Sequence, residues 1–144
     1  MQKLFGNKRF VTYMLYRGSE HGWMYRDFHS RCDIKGPTIS LFKVKDGDCI
    51  GGYTEAEWSS DGKKHICNDD TFLFNLSCSR LFPNKNTGKE IFCTKDEGPS
   101  FGINELSASI EPFNDEKNCT SYANADGFGI LAEDGKNMLT NRKE

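Results

Sequence analysis

An ordered series of glycine pairs and large aromatic residues runs through the middle of this chain of 144 residues. It consists of Gly51-Gly52-Tyr53-Thr54, Trp58, Phe72-Leu73-Phe74-Asn75-Leu76 and Gly98-Pro99-Ser100-Phe101-Gly102. Glycine pairs are typical of places where two backbone segments approach closely or where φ is positive, and large aromatic side chains supply most of the apolar area of a small core. The series therefore predicts a compact β-rich core without a reactive group at its centre.

Length and composition fit one folded domain that covers residues 1–144. A chain of this length buries about 68 to 70% of its unfolded surface, which is enough for a proper core. The hydrophobic content of 36%, with 11 Phe, 2 Trp and 5 Tyr, is far above that of disordered segments. Nineteen basic and 21 acidic residues are interspersed and give a formal net charge of −2. Nucleic-acid binding needs basic residues gathered on one face, so we expect no nucleic-acid partner.

The N-terminus lacks the apolar run of a signal peptide, and no stretch is long and apolar enough to be a transmembrane segment. These features predict a cytoplasmic protein. The cysteines are then expected to be reduced thiols that act mainly as small core hydrophobes. There are six of them: Cys32, Cys49, Cys67, Cys78, Cys93 and Cys119.

Hydrophobic periodicity predicts a strand, a helix and a hairpin in the first part of the chain. Residues 9–17 are rich in β-prone side chains and predict a strand that ends at Gly18-Ser19. In residues 23–32 the apolar side chains recur every four positions, which predicts a short amphipathic helix that ends before Gly36-Pro37. Asp46-Gly47 favours a tight turn between strands at residues 38–45 and 48–54.

The later part of the chain predicts several short strands. A polar loop at residues 59–70 precedes a core strand in which Phe72, Phe74 and Leu76 share one face. Shorter strands are expected at residues 90–94, around Phe101, and at residues 106–110 and 127–131. Many short strands with few helices predict a β-rich α+β fold, a two-layer antiparallel β-sandwich flanked by one or two short helices.

The residues that carry chemistry do not form a recognisable catalytic or metal-binding pattern. His29 and Cys32 are a close pair of metal-ligand type, and no second pair follows at zinc-like spacing. We expect Cys32 to lie on the buried side of the predicted helix and His29, next to Phe28, to be half exposed. A reactive thiol needs a nearby base, and the sequence holds three histidines but no Cys-x-x-Cys. We therefore predict no catalytic, cofactor-binding or metal-binding residues and no cofactor.

Other candidate pairs have simpler explanations. Glu55 with Glu57 and Asp69 with Asp70 lie in polar segments, where adjacent acids are normally solvated. Gly51-Gly52 lies inside the predicted hairpin, and no P-loop lysine follows it. Trp23 and Trp58 fit either an exposed aromatic anchor for a partner or packing over the edge of the sandwich, and packing is the favoured alternative.

Several blocks of the sequence, in the same order, resemble a TLDc domain over nearly the whole chain. They are Leu15-Tyr16-Arg17-Gly18-Ser19, Gly22, Phe28-His29-Ser30-Arg31-Cys32-Asp33, Lys35-Gly36-Pro37-Thr38, Gly51-Gly52-Tyr53-Thr54, Trp58-Ser59-Ser60, Phe72-Leu73-Phe74-Asn75-Leu76, Gly98-Pro99-Ser100-Phe101-Gly102 and Thr120-Ser121-Tyr122. The resemblance implies a β-sandwich of two antiparallel sheets flanked by helices.

The resemblance also implies a function. The TLDc family includes the oxidation resistance proteins, is associated with the oxidative stress response and with binding of the vacuolar-type proton ATPase (V-ATPase), and has no generally accepted catalytic mechanism. A non-catalytic interaction and regulatory domain is thus expected, with a protein partner. Two alternatives stay open: a cysteine-dependent redox or hydrolytic enzyme, and a structural component of a larger assembly.

The chain differs from the family pattern at its C-terminal end. TLDc domains close with a further apolar strand, whereas residues 137–144 are polar and charged. We therefore expect a domain that is truncated at this end and lacks its final strand. A bare sheet edge would lower stability or lead to association through that edge.

Overall fold

The computed structural model describes residues 6–7, 9–43, 47–66, 70–85, 88–102, 106–109, 118–120, 136–137 and 142–143. These residues contain two short helices, α1 (Gly18–His21) and α2 (Tyr25–Cys32). They also contain the strands β1 (Thr38–Lys43), β2 (Cys49–Thr54), β3 (Lys64–Ile66), β4 (Phe72–Asn75), β5 (Arg80–Pro83), β6 (Ile91–Cys93), β7 (Ser100–Phe101), β8 (Leu106–Ser109), β9 (Asn118–Thr120), β10 (Lys136–Asn137) and β11 (Arg142–Lys143).

The strands form two main antiparallel sheets. The first has four strands in the order β1-β2-β4-β5, and the second has five in the order β3-β6-β7-β8-β9. β10 and β11 form a separate antiparallel pair. The β-rich α+β fold, with two antiparallel sheets and two short helices, is confirmed.

The hydrophobic core is built from both sheets and from α2. Ile50, Leu73 and Phe82 of the first sheet and Ile91, Cys93, Phe101 and Leu106 of the second belong to one buried cluster with Phe28, Cys32 and Trp58. Trp58 meets the rings of Phe28 and Phe101 edge to face, at centroid distances of 5.9 and 5.4 Å. The cluster shows that the two sheets pack face to face.

The glycine pair allows rings to lie directly on both faces of β2. A Cβ atom on Gly52 would lie 2.5 Å from the ring of Phe101, and one on Gly51 would lie 2.7 Å from the ring of Phe74. Because successive residues of a strand face opposite sides, Phe101 lies on the core face and Phe74 on the outer face. The interpretation of Gly51-Gly52 as a place of tight strand packing is confirmed.

The two strands of the predicted hairpin are confirmed as an antiparallel pair, but β1 ends at Lys43 and β2 begins at Cys49 rather than at residues 45 and 48. β1 and β2 pair from Thr38 opposite Thr54 to Lys43 opposite Cys49. Asp46 lies outside the described residues, as does the strand predicted at residues 127–131. The predicted strands at residues 90–94, around Phe101 and at residues 106–110 correspond to β6, β7 and β8.

β4 forms where it was predicted, but its two faces have a different arrangement. Leu73 joins the core between the sheets, while Phe74 lies on the other face and is fully buried as well. The apolar face expected from Phe72 and Phe74 is therefore the outer face of the sheet. Each face carries a fully buried apolar side chain, so alternation alone did not identify the face that meets the second sheet.

The strand predicted at residues 9–17 is wrong. Residues 9–17 contain no regular secondary structure, and Val11, Tyr13 and Met14 are exposed. A strand needs a neighbour to satisfy its main-chain hydrogen bonds, and β-prone side chains alone do not provide one.

Several boundaries also differ from the predictions. β3 lies inside the predicted polar loop at residues 59–70, and β5, β9 and the β10–β11 pair were not predicted. α2 begins at Tyr25 rather than Trp23, and it ends before Asp33, whose backbone is extended. The absence of the family's closing strand stays a prediction.

Within the described ranges, neither helix has the length and apolar character needed to cross a membrane.

The contact between Gly52 and Phe101 predicts a strong effect of a small substitution. Gly52→Ala places a methyl group 2.5 Å from the Phe101 ring, which is too close for an unstrained contact, so we expect the free energy of unfolding to fall by about 1–3 kcal/mol. Urea denaturation followed by circular dichroism measures the change. In a Phe101→Ala background the same substitution should cost much less, because the clash is removed. Equal costs in the two backgrounds would contradict the proposed contact.

Candidate interaction surface

His29 ties helix α2 to the second sheet. Its side chain is only 8% exposed, its Nδ1 lies 2.6 Å from Oδ1 of Asp33, and its Nε2 lies 2.9 Å from the carbonyl oxygens of both Thr94 and Glu97. The expectation that His29 is half exposed is therefore wrong. It lies on the buried side of α2 beside Phe28, and polar partners there make its burial tolerable.

Both ring nitrogens of His29 face oxygen atoms. Nδ1 lies next to the Asp33 carboxylate, and Nε2 lies next to the Thr94 and Glu97 carbonyls. We call this arrangement of His29, Asp33, Thr94 and Glu97 the histidine latch.

Asp33 extends the latch to the segment around Trp58. Its Oδ2 accepts a hydrogen bond from the Ser60 main-chain N–H at 2.9 Å. The next residue, Ile34, donates its N–H to the Trp58 carbonyl at 3.1 Å. The C-terminal end of α2 is thus held by charge-assisted and main-chain hydrogen bonds together.

The N-terminal end of α2 is held as well. Asp27 accepts a hydrogen bond from the Met24 N–H at 3.0 Å. The Tyr16 hydroxyl donates to the Gly22 carbonyl at 2.7 Å, and its ring meets Phe28 edge to face. Both ends of the helix therefore have fixed positions on the sandwich.

The opposite side of α2 is exposed and carries a mixed aromatic, aliphatic and basic set of side chains. We call it the helix surface; its members are Trp23, Arg26, Ser30, Arg31 and Ile34. Trp23, just before the helix, is 43% exposed, and Ile34, just after it, is 73% exposed. Tryptophan and arginine are the residue types that most often dominate binding energy at protein interfaces.

The helix surface is positively charged. Arg26, Arg31 and the nearby Lys35 are exposed, and none of them is ion-paired in the part of the chain that the structure describes. Arg17, by contrast, is paired with Glu20 at 2.9 Å. Positive charge that has no ion pair among the described residues, next to exposed apolar side chains, suits a partner segment that is acidic and apolar.

The structure separates the two tryptophans. Trp58 is buried and donates its Nε1–H to Thr38, so the packing alternative holds for Trp58. Trp23 rests partly on Gly18, where a Cβ atom would lie only 2.3 Å from the indole ring, and it presents its remaining surface to solvent. Of the two candidates, Trp23 alone is placed to contact a partner.

Ile34 has an unusual backbone. Its φ is +56°, in the left-handed region that β-branched residues rarely adopt. Two hydrogen bonds hold this conformation. The Ile34 N–H donates to the Trp58 carbonyl, and the side chain of Asp33, the preceding residue, accepts the N–H of Ser60. The result is an exposed aliphatic side chain at a fixed place on the helix surface.

The four cysteines whose side chains the structure describes differ in burial. Cys32 and Cys93 are buried, Cys49 is half-buried and Cys78 is exposed. Burial, with a smaller contribution from Asp33, raises the pKa of Cys32 to about 11. Burial also raises the pKa of the Cys49 thiol.

Both histidines whose side chains are described form hydrogen bonds with groups other than these thiols. Both nitrogens of His29 are engaged in the latch, and Nδ1 of His21 accepts a hydrogen bond from the Arg17 N–H. Cys67 lies outside the described residues, as do the side chains of His65 and Cys119.

The other polar candidates are dispersed. Glu55 and Glu57 are exposed, and Glu55 accepts a hydrogen bond from the Tyr53 hydroxyl. Asp70 is exposed, and Asp69 lies outside the described residues. Within the described ranges, no three His, Cys, Asp or Glu side chains are grouped as metal ligands would be.

The latch predicts a large effect of removing its imidazole. His29→Ala removes the imidazole that contacts the Asp33 carboxylate and two buried carbonyls, so we expect the free energy of unfolding at neutral pH to fall by about 2–4 kcal/mol. Urea denaturation measures this loss. His21→Ala serves as a control and should cost about 1 kcal/mol or less, because that ring accepts a single exposed hydrogen bond. Similar losses in both variants would contradict the latch.

The raised pKa of Cys32 predicts a pH dependence of stability. Between pH 9.0 and about 11 the unfolded chain releases this thiol proton while the folded chain retains it, so the free energy of unfolding falls as pH rises. Tyr16, whose pKa burial raises from 10.0 to about 12, contributes with the same sign at higher pH. Cys32→Ala should flatten the plot of unfolding free energy against pH over the range in which this thiol titrates. Cys78→Ala, which removes an exposed thiol, should leave the plot unchanged. Parallel curves for the wild type and Cys32→Ala would exclude this linkage.

Comparison with known proteins agrees with the fold. A search of curated proteins finds no match to the chain. The family model of the TLDc domain matches residues 3–144, essentially the whole chain. With its two antiparallel sheets and short helices, the chain belongs to the TLDc domain family.

Proposed function

We propose that this TLDc domain is a non-catalytic interaction and regulatory module that binds the V-ATPase and contributes to protection against oxidative stress. Membership of the TLDc family supports the general role. The observation that carries the proposal is the helix surface, where Trp23, Arg26, Arg31 and Ile34 are exposed on a helix held at both ends.

The rigid mounting of the helix surface favours binding. A surface that is already ordered loses little conformational entropy when a partner docks, so more of the contact energy appears as affinity. The histidine latch and the Asp27 cap provide this order before binding. The partner segment is acidic, since it faces Arg26 and Arg31, and it carries an apolar side chain that packs against Trp23 or Ile34.

The state of the cysteines supports an interaction role over the cysteine-dependent enzyme. A catalytic thiol needs a lowered pKa and a base, while burial raises the pKa of Cys32 and of Cys49. The four cysteines whose side chains are described are free thiols, as is usual in the cytoplasm. We therefore assign the function to the cytoplasm and to binding rather than to chemistry.

Charge reversal on the helix surface tests the proposal. The double variant Arg26→Glu/Arg31→Glu is expected to bind purified V-ATPase at least about tenfold more weakly than the wild type, and the wild-type affinity should fall as salt rises. Biolayer interferometry with the immobilised domain measures both effects.

Lys63→Glu/Lys89→Glu provides the matched control, because it makes the same charge change at two exposed lysines elsewhere. Circular dichroism verifies that both variants fold. Absence of V-ATPase binding by the wild type would overturn the named partner. Equal weakening by the two double variants would overturn the helix surface as the place of binding.

A further inference from the structure

We propose that Gly18 is a positioning residue for the helix surface. Its bare main chain is the place on which the Trp23 indole rests, which we call the indole seat, and it sets the orientation in which that ring meets a partner. The use of the seat in binding rests on the proposed function. The seat itself is a property of the folded chain and is tested without a partner.

The six-membered ring of Trp23 fills the space in which another residue at position 18 would carry its side chain. A Cβ atom on Gly18 would lie 2.5 Å from Cε3 and 2.7 Å from Cη2 of Trp23, and closer still to Cζ3, the atom between them. Three consecutive atoms of one ring edge therefore lie on the Gly18 main chain. The contact needs glycine, because even a methyl group would overlap the ring.

The backbone conformation gives no separate reason for glycine at this position. Gly18 is the first residue of α1, and its φ is not positive, unlike that of Gly22. Alanine is the better helix former, so helix propensity alone would favour alanine over glycine there. The contact with the Trp23 ring is thus the feature of the structure that accounts for glycine at position 18.

The turn that carries Gly18 has a fixed place in the molecule. The Arg17 N–H donates to Nδ1 of His21 at 2.9 Å, which closes α1 on itself. At the other end of α1, the Gly22 carbonyl accepts the Tyr16 hydroxyl at 2.7 Å, and Tyr16 packs against the hydrophobic core. These contacts fix the main chain on which the indole rests.

The same turn is joined to the start of α2. The Asp27 carboxylate accepts the Met24 N–H at 3.0 Å, and it also lies beside the main chain of Gly22, where a Cβ atom would be 2.9 Å from Cγ of Asp27. Two bare glycines, one helical turn apart, thus contact Trp23 and Asp27. The indole seat and the first turn of α2 are therefore placed relative to each other.

The exposure of Trp23 makes Gly18 different from Gly52. The ring that lies on Gly52 belongs to Phe101, which is fully buried and has no room to move away. Trp23 is 43% exposed, so a methyl group at position 18 would displace its ring toward solvent at little cost to stability. Gly18→Ala is therefore expected to change the helix surface and to leave the fold intact.

A seated indole favours binding for an entropic reason. A tryptophan ring that is already oriented loses little rotamer freedom when an apolar side chain of the partner packs against it. A displaced ring must first be reoriented, so affinity falls although every contacting side chain is still present. Gly18 thus acts on the partner through Trp23 and not by touching the partner itself.

NMR spectroscopy of the intact chain tests the indole seat without a partner. In the wild type we expect nuclear Overhauser effects between the Hα protons of Gly18 and the ring protons of Trp23, with Hζ3 above all. In Gly18→Ala the Trp23 Nε1–H resonance should move toward its position in the urea-unfolded chain, while the Trp58 resonance stays in place. Absence of these effects in the wild type, or an unmoved Trp23 resonance in the variant, would overturn the seat.

Biolayer interferometry with purified V-ATPase tests the use of the seat. We expect Trp23→Ala to bind at least about tenfold more weakly than the wild type, and Gly18→Ala about threefold or more. The double variant should bind like Trp23→Ala alone, because Gly18 acts only through the ring. Ser19→Ala, a matched control at the next and exposed residue of α1, should bind like the wild type.

Urea denaturation distinguishes positioning from a structural role. Gly18→Ala should be as stable as the wild type or slightly more stable, and a marked loss of stability would mean that the ring has no room to move, which would overturn the proposal. Wild-type binding by Gly18→Ala would overturn it too, as would additive losses in the double variant or an equal loss in Ser19→Ala. A wild type that does not bind the V-ATPase would overturn the proposed function, and the NMR result would still decide whether Gly18 seats the indole.

Discussion

The contacts of one buried indole join the parts of this molecule. Trp58 packs between Phe28 of α2 and Phe101 of β7, and its Nε1–H donates to Thr38 at the start of β1. Its carbonyl accepts the N–H of Ile34 just beyond the helix. The helix and both sheets therefore contact the same residue. The position of the helix surface depends on how Trp58 packs between them.

The sequence predicted those parts of the fold in which local pattern and tertiary environment agree. The hairpin of β1 and β2 was predicted because a turn signal lies between two β-prone runs, and the antiparallel pairing of the two strands confirms it. Residues 9–17 show the opposite case, since the side chains favour a strand but the described chain provides no neighbour. β3 was missed because Lys64–Ile66 lies in a polar context and becomes a strand only by pairing with β6.

The interaction surface was predictable to a smaller extent. Trp23 was identified as a possible anchor on chemistry alone, while its separation from Trp58 needed the burial of each ring. His29 was expected at the surface because its sequence neighbours give no sign of the Thr94 and Glu97 carbonyls, which lie 65 and 68 residues away along the chain. The spacing of His29 and Asp33, one helical turn apart, was the available signal, and it is also common on solvated helices.

The left-handed backbone of Ile34 has a consequence for how this protein tolerates change. Glycine or asparagine at this position would relieve the local strain, so stability alone does not favour isoleucine there. A branched, water-exposed side chain in so unfavourable a conformation is easiest to understand if natural selection acts on what it touches in a complex. Variation at residue 34 across species would then follow the partner's surface rather than the thermal tolerance of the organism.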